Sequence, residues 1–249
     1  MKLLAAKIKP SFGFARILHM TLAALLPVAV YVLVRLELEQ VALAIILLSK
    51  WRMLAVQPRH WWPHIRVNAV DIIVGLSILA FMVSVNSFAL QLSWTLIHIV
   101  WLLVIKPRND IVSVSLQAFI GHLFGLNALY ITWVNAPLAG LVIGTWFIAY
   151  LSALHFFSSF EEPYRPLLAH FWGYFAAALT WILGHYLLFY GVFAQPTLLL
   201  TVVGYGFGAL YYLNYREKLS KLVRREFIFI MIATILIILI QADWTDKTI

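Results

Sequence analysis

The chain contains no cysteine. Disulfides, iron–sulfur clusters, thiolate zinc sites, thioether-linked haem, S-acylation and cysteine nucleophiles are therefore excluded. Charge is also scarce. Asp, Glu, Lys and Arg make up 11% of the 249 residues, and hydrophobic residues make up 63%. A water-soluble domain carries about 25% charged residues, so a soluble globular fold is excluded. Carboxylates are the scarcest of all, with 10 Asp+Glu against 18 Lys+Arg and a net charge of +8. In a soluble protein that excess would suggest nucleic acid as a partner. Here no nucleic-acid partner is expected, because membrane proteins gather basic residues in cytoplasmic loops.

What the sequence does contain is long apolar runs. A bilayer core about 30 Å thick needs about 20 apolar helical residues per crossing. Nine stretches fit: 17–34, 36–56, 69–88, 91–105, 111–132, 138–157, 166–190, 197–213 and 226–242. Prolines at 63, 107, 137, 163, 166 and 196 mark the breaks between them. Pro27 lies inside the first run. The pattern predicts an all-α, polytopic integral membrane protein: one helical bundle over residues 1–249 with the bilayer as its partner.

The second run is the weakest, since Lys50 and Arg52 follow its apolar part at once. Charge counting decides in its favour. Nine crossings with a cytoplasmic N-terminus and an outside C-terminus put 16 of the 18 basic residues on the cytoplasmic side, leaving out only Arg35 and Lys247. Without the second run, 5 would be inside and 13 outside. The expected location is the plasma or inner cell membrane. The basic start followed by an apolar run resembles a signal peptide. However, it runs into Arg35 and Glu37 with no small-residue cleavage site, so a retained first span is expected.

Gly121/Gly125, Gly140/Gly144 and Gly204/Gly208 have the small-xxx-small spacing that lets helix backbones approach closely. Gly204 to Gly208 admits a second reading as an unwound segment that coordinates a substrate. Trp61-Trp62 reads as an interfacial anchor.

Ionisable groups at membrane depth are costly and mark candidate sites. Asp71 sits near the start of the third run with Arg66 as its expected partner, and Glu226 opens the last run. His19, His98, His122, His155, His170 and His185 lie within or beside spans. His155, Glu161, Glu162, Arg165 and His170 crowd one short loop and its flanks, which hold the only adjacent carboxylates. With Asp71 they form a candidate catalytic set for acid–base work or metal ligation at the cytoplasmic interface. His98, Gln117, His122, Asn127 and His185 form a candidate transport path, with Asn86 and Gln91 as further polar groups. No metal centre is indicated, because no run carries a close histidine cluster and Pro63 interrupts the pair His60 and His64. A bis-histidine haem would need His98 and His122 on facing helices at one depth, and no lysine lies inside the last three runs to hold a retinal. The cofactor is thus left open.

The main expectation is a transporter or permease for a small solute, which requires His98, Gln117 and His122 to share one cavity. The first alternative is a membrane-embedded enzyme acting on a lipid or lipid-linked substrate, which requires a pocket open to the inner leaflet. The second is a non-catalytic scaffold subunit that meets a membrane-protein partner or a second copy of itself.

Overall fold

A computed structural model of the chain describes residues 13–51, 55, 57, 61–160, 162–186 and 188–241, with the backbone alone for 14–19. Among them are nine α-helices: α1 (Phe14–Arg35), α2 (Glu39–Leu48), α3 (Trp61–Ser84), α4 (Phe88–Val100), α5 (Ile111–Thr132), α6 (Leu138–Phe157), α7 (Arg165–Leu183), α8 (Gln195–Tyr215) and α9 (Lys221–Ile240). A π-helical turn, Trp101–Ile105, extends α4. A two-residue hairpin, β1 (Phe189–Tyr190) with β2 (Phe193–Ala194), joins α7 to α8. The described residues are all-α apart from this hairpin. Six helices, counting α4 with its π turn, are long and apolar enough to cross a membrane, which is the mark of a membrane protein.

Local chemistry sets the helix ends. Asp110 caps α5 by accepting from the Ser113 amide at 3.0 Å, and Ser220 caps α9 by accepting from the Val223 amide at 3.2 Å. Pro166 and Pro196 occupy first turns, where no intrahelical amide bond is lost. α1 and α8 end alike. In each, a glutamate adopts a left-handed conformation (Glu37 at φ 60°, Glu217 at φ 55°) and the next amide reaches back five residues, Leu38 to Leu33 and Lys218 to Leu213.

The core lies in two parts. Val30, Ala42, Ile46, Val74, Ile78, Met82 and Trp101 pack α1–α4 together, and Leu126, Tyr130, Leu141, Ala149, Ala176 and Leu200 pack α5–α8. A smaller cluster joins α3 to α6 and α7 through Ala69, Tyr150, Leu154 and Ala169. Close approach of α5 to its neighbours requires glycine. A Cβ at Gly125 would stand 2.6 Å from Ile73 Cγ2 and 2.8 Å from Ile148 Cγ2. One buried polar node crosses the second cluster, with the Tyr130 hydroxyl 2.8 Å from both the Thr145 and the Thr180 hydroxyls.

Side-chain bonds sort the helix ends into two groups. In one group, Asp71 near the start of α3 meets Lys50 after α2 and Lys106 after α4. Gln117 of α5 meets His155 of α6, and Glu162 before α7 meets Tyr211 of α8. In the other, Arg35 at the end of α1 meets Gln91 of α4, Gln91 meets the end of α3, and Tyr190 of the hairpin meets the Ile238 carbonyl near the end of α9. We call the first group the basic end.

Candidate functional site

Three polar arrangements occupy the basic half of the bundle. The first centres on Asp71, which is buried in the third turn of α3. Its Oδ2 accepts from Lys50 and, at 2.5 Å, from Lys106, and its Oδ1 accepts from the Trp101 indole at 2.9 Å. Arg66, the expected partner, is not the one used. An arginine five residues earlier projects about 140° away around the helix, whereas the ends of α2 and α4 bring lysines directly to the carboxylate. Burial opposes the Lys106 charge, but Asp71 outweighs it and holds the lysine pKa above its ordinary 10.5. His98 lies one turn deeper, with its Nε2 3.9 Å from where a Cβ on Gly75 would be and its Nδ1 without a hydrogen-bond partner.

The second arrangement is a brace. Gln117 Nε2 donates to the carbonyl of Ile105, the last residue of the π turn, at 2.8 Å and to that of Arg108 just beyond it at 2.9 Å, and its Oε1 lies 2.9 Å from His155 Nε2. Both side chains are thereby occupied in holding α4, α5 and α6 together.

The third is a cavity of about 950 Å³ between α5, α6, α7 and α8. Its walls are aromatic: Phe119, Phe156, Phe171, Trp172, Phe175 and Tyr205 are the main rings. Gly204 makes room for Trp172, because a Cβ there would lie 3.0 Å from the ring, whereas a Cβ at Gly208 would meet Phe156 only at an ordinary 3.6 Å. α8 is helical through this stretch, which overturns the unwound reading of Gly204 to Gly208. Phe171 and Tyr205 are highly exposed, so the cavity is open to the surroundings of the bundle, and its lining reaches the basic end at Tyr211 and Tyr212. At its mouth the Tyr211 hydroxyl donates to Glu162, and Arg216 lies over the Tyr212 ring at 5.6 Å. His122, Ser152 and Thr201 line the inner part.

The catalytic set read from the sequence is dispersed. His155 is bound to Gln117. Glu162 accepts from Tyr211 and from the Tyr164 amide at 3.2 Å. His170 is stacked on Tyr150 at 4.4 Å, between α6 and α7. Asp71 belongs to the lysine cluster, and the Arg165 side chain is exposed at the start of α7. Glu161, like His60, lies outside the described residues. The path set is dispersed too. His98 is beside Gly75, Gln117 is in the brace, and Asn127 accepts from the Ala194 amide at 3.4 Å. His185 is exposed beside Trp181, and only His122 lines the cavity. His98 and His122 thus face different neighbours, Gly75 and Trp172. Among the described residues, no three His, Asp or Glu side chains are grouped to hold a metal ion.

Sequence reasoning missed Ser152, Thr201 and Trp172, and it counted Lys50 and Lys106 only as orientation signals. For the lysines a signal existed, since both end apolar runs on the side where Asp71 begins one. The chain matches no protein-family model, no curated protein and no solved structure.

Proposed function

We propose that this is a membrane protein that admits a membrane-borne amphiphile, a lipid or lipid-linked molecule, into the cavity between α5 and α8. The observation that carries the reading is a cavity of about 950 Å³, walled by aromatic rings, some of them highly exposed, and reaching the basic end of the bundle. Water gains little in such a space, whereas an acyl or isoprenoid chain is at home in it. The reading keeps the pocket required for a lipid-acting protein without the six-residue catalytic set. Small-solute transport is a second reading, favoured by the unpartnered imidazole of His122 at mid-helix; Gln117 and His98 lie outside that path.

The accompanying topology is nine crossings of a plasma or inner cell membrane, with the N-terminus and the basic end cytoplasmic. Two observations support it: the positive-inside count, and bonds that join helix ends as alternate crossings require. The test is to purify the protein from native membranes and identify the retained amphiphiles by mass spectrometry, beside Gly208→Phe. That variant fills the cavity from a position where a Cβ meets only ordinary contacts, 3.6 Å from Phe156. The wild type is expected to retain a molecule that the variant loses. Identical profiles overturn the reading.

A further inference from the structure

Four buried polar atoms on the cavity wall have no hydrogen-bond partner: Nδ1 and Nε2 of His122, Oγ of Ser152 and Oγ1 of Thr201. This is unusual, since buried polar groups are almost always paired. Six further buried polar atoms of the described residues are unpaired, Thr197 Oγ1 among them, but none of those lines the cavity, whereas these four share it. Several other helical hydroxyls bond back to the carbonyl four residues earlier, as Ser77, Ser115 and Thr132 do at 2.7 Å. Ser152 and Thr201 do not.

The unpartnered atoms lie at one level. The Gln117–His155 bond places those two residues opposite each other on α5 and α6. Counting inward along antiparallel helices brings Ser152 to within about 3 Å of the level of His122. On the α8 side, the carbonyl of Leu200, next to Thr201, stands near the His122 ring without closing a hydrogen bond to it. His122 also lies against Trp172, with ring centroids 5.7 Å apart. The Tyr211–Glu162 pair at the mouth is about 15 Å of helical rise away from Thr201. Charged groups stand at the mouth, and none lines the inner part.

From this placement we infer that the cavity binds an amphiphile with its polar head innermost, and that the head is neutral: a hydroxyl or carbonyl group received by His122, Ser152 and Thr201. This rests on the proposed amphiphile reading and deepens it. A phospholipid seated with its head at the mouth would press hydrocarbon against four unpaired polar atoms. A charged head driven inward would meet no counter-charge. A neutral hydroxyl can donate and accept, and it matches an imidazole with one donor and one acceptor beside two hydroxyls.

The experiment uses the full chain in phosphatidylcholine nanodiscs and three probes with one tail: dodecanol, dodecane and dodecyl phosphate. Binding is read as the mole fraction that half-saturates the shift in thermal unfolding. Dodecanol is expected to bind about five- to tenfold more tightly than the other two, the scale of one or two hydrogen bonds in a dry site. Ser152→Ala and His122→Phe are expected to erase that preference and leave dodecane unchanged, while His122→Gln, which keeps a donor and an acceptor, retains part of it. The inference is overturned if dodecyl phosphate binds best, if dodecane equals dodecanol, or if the preference survives all the variants. If none of the probes binds the wild type better than Gly208→Phe, the amphiphile reading itself falls.

Discussion

Trp101 and Lys106 reach the same carboxylate, Asp71, from positions five residues apart. In a regular α-helix they would point about 140° apart. The π turn closes on the fifth residue, with the Lys106 amide bonded to the Trp101 carbonyl at 2.9 Å, and so brings both to one face. Gln117 then takes up the carbonyls left at the end of that turn. Asp71 is thus the point at which α2, α3 and α4 are locked together.

Removing one member of a buried ion cluster is worse than removing both. Asp71→Leu is expected to lower stability by about 3–5 kcal/mol, and Asp71→Leu with Lys50→Met to recover much of it. Lys106→Met alone should cost less, because that side chain is 38% exposed and screened by water. Denaturant unfolding in micelles measures all of these variants. Equal stabilities for the single and double variants would refute the cluster's role.

Glycine at 125 is set by contact, and glycine at 140 is not. A Cβ at Gly125 would meet two isoleucine methyls at 2.6 and 2.8 Å, whereas at Gly140 the nearest atom is 3.5 Å away. Gly125→Ala is expected to destabilise by about 1–3 kcal/mol, and Gly140→Ala to be near neutral, as read by thermal unfolding.

Glu217 holds a left-handed conformation that disfavours a residue with a Cβ by about 1–2 kcal/mol. Glu217→Gly should therefore raise the unfolding midpoint while leaving the turn between α8 and α9 intact, and Glu217→Val should lower it. The same pair of changes at Glu37 should act the same way, since that turn is built alike.

Asp110 gives a pH signature. The Ser113 hydrogen bonds hold its carboxyl below the ordinary 3.8. A group with a depressed pKa adds stability that is present above its unfolded pKa and lost as the pH falls through the folded value. The difference in unfolding midpoint between wild type and Asp110→Ala should thus be full at pH 6 and shrink below pH 3.8. A difference independent of pH would show that the cap is not formed by the carboxylate.

Much of the fold was legible because lipid imposes it. Runs 111–132 and 138–157 match α5 and α6 to the residue. Errors came where local chemistry departs from hydropathy. α3 begins at Trp61, not 69, because Pro63 falls in a first turn, where proline is tolerated. α7 ends at Leu183, not 190, because Gly184 closes the helix and the end of that run goes into the hairpin turned at Gly191, φ 62°. The candidate site was less legible. Hydropathy gives depth but not azimuth, so Gln117 and His122 look alike in the sequence although one braces two helices and the other lines a cavity. Whether a helical serine bonds its own backbone, as Ser115 does, or leaves its hydroxyl free, as Ser152 does, depends on neighbours that only the fold supplies.

The absence of cysteine makes the central claim directly measurable. Ser152→Cys places the only thiol of the chain on the cavity wall. In native membranes it should react with a small, neutral, bilayer-permeant methanethiosulfonate and resist an anionic one, and Gly208→Phe should slow the reaction by filling the space. A thiol inert to the neutral reagent, or equally reactive with the cavity filled, would contradict the account.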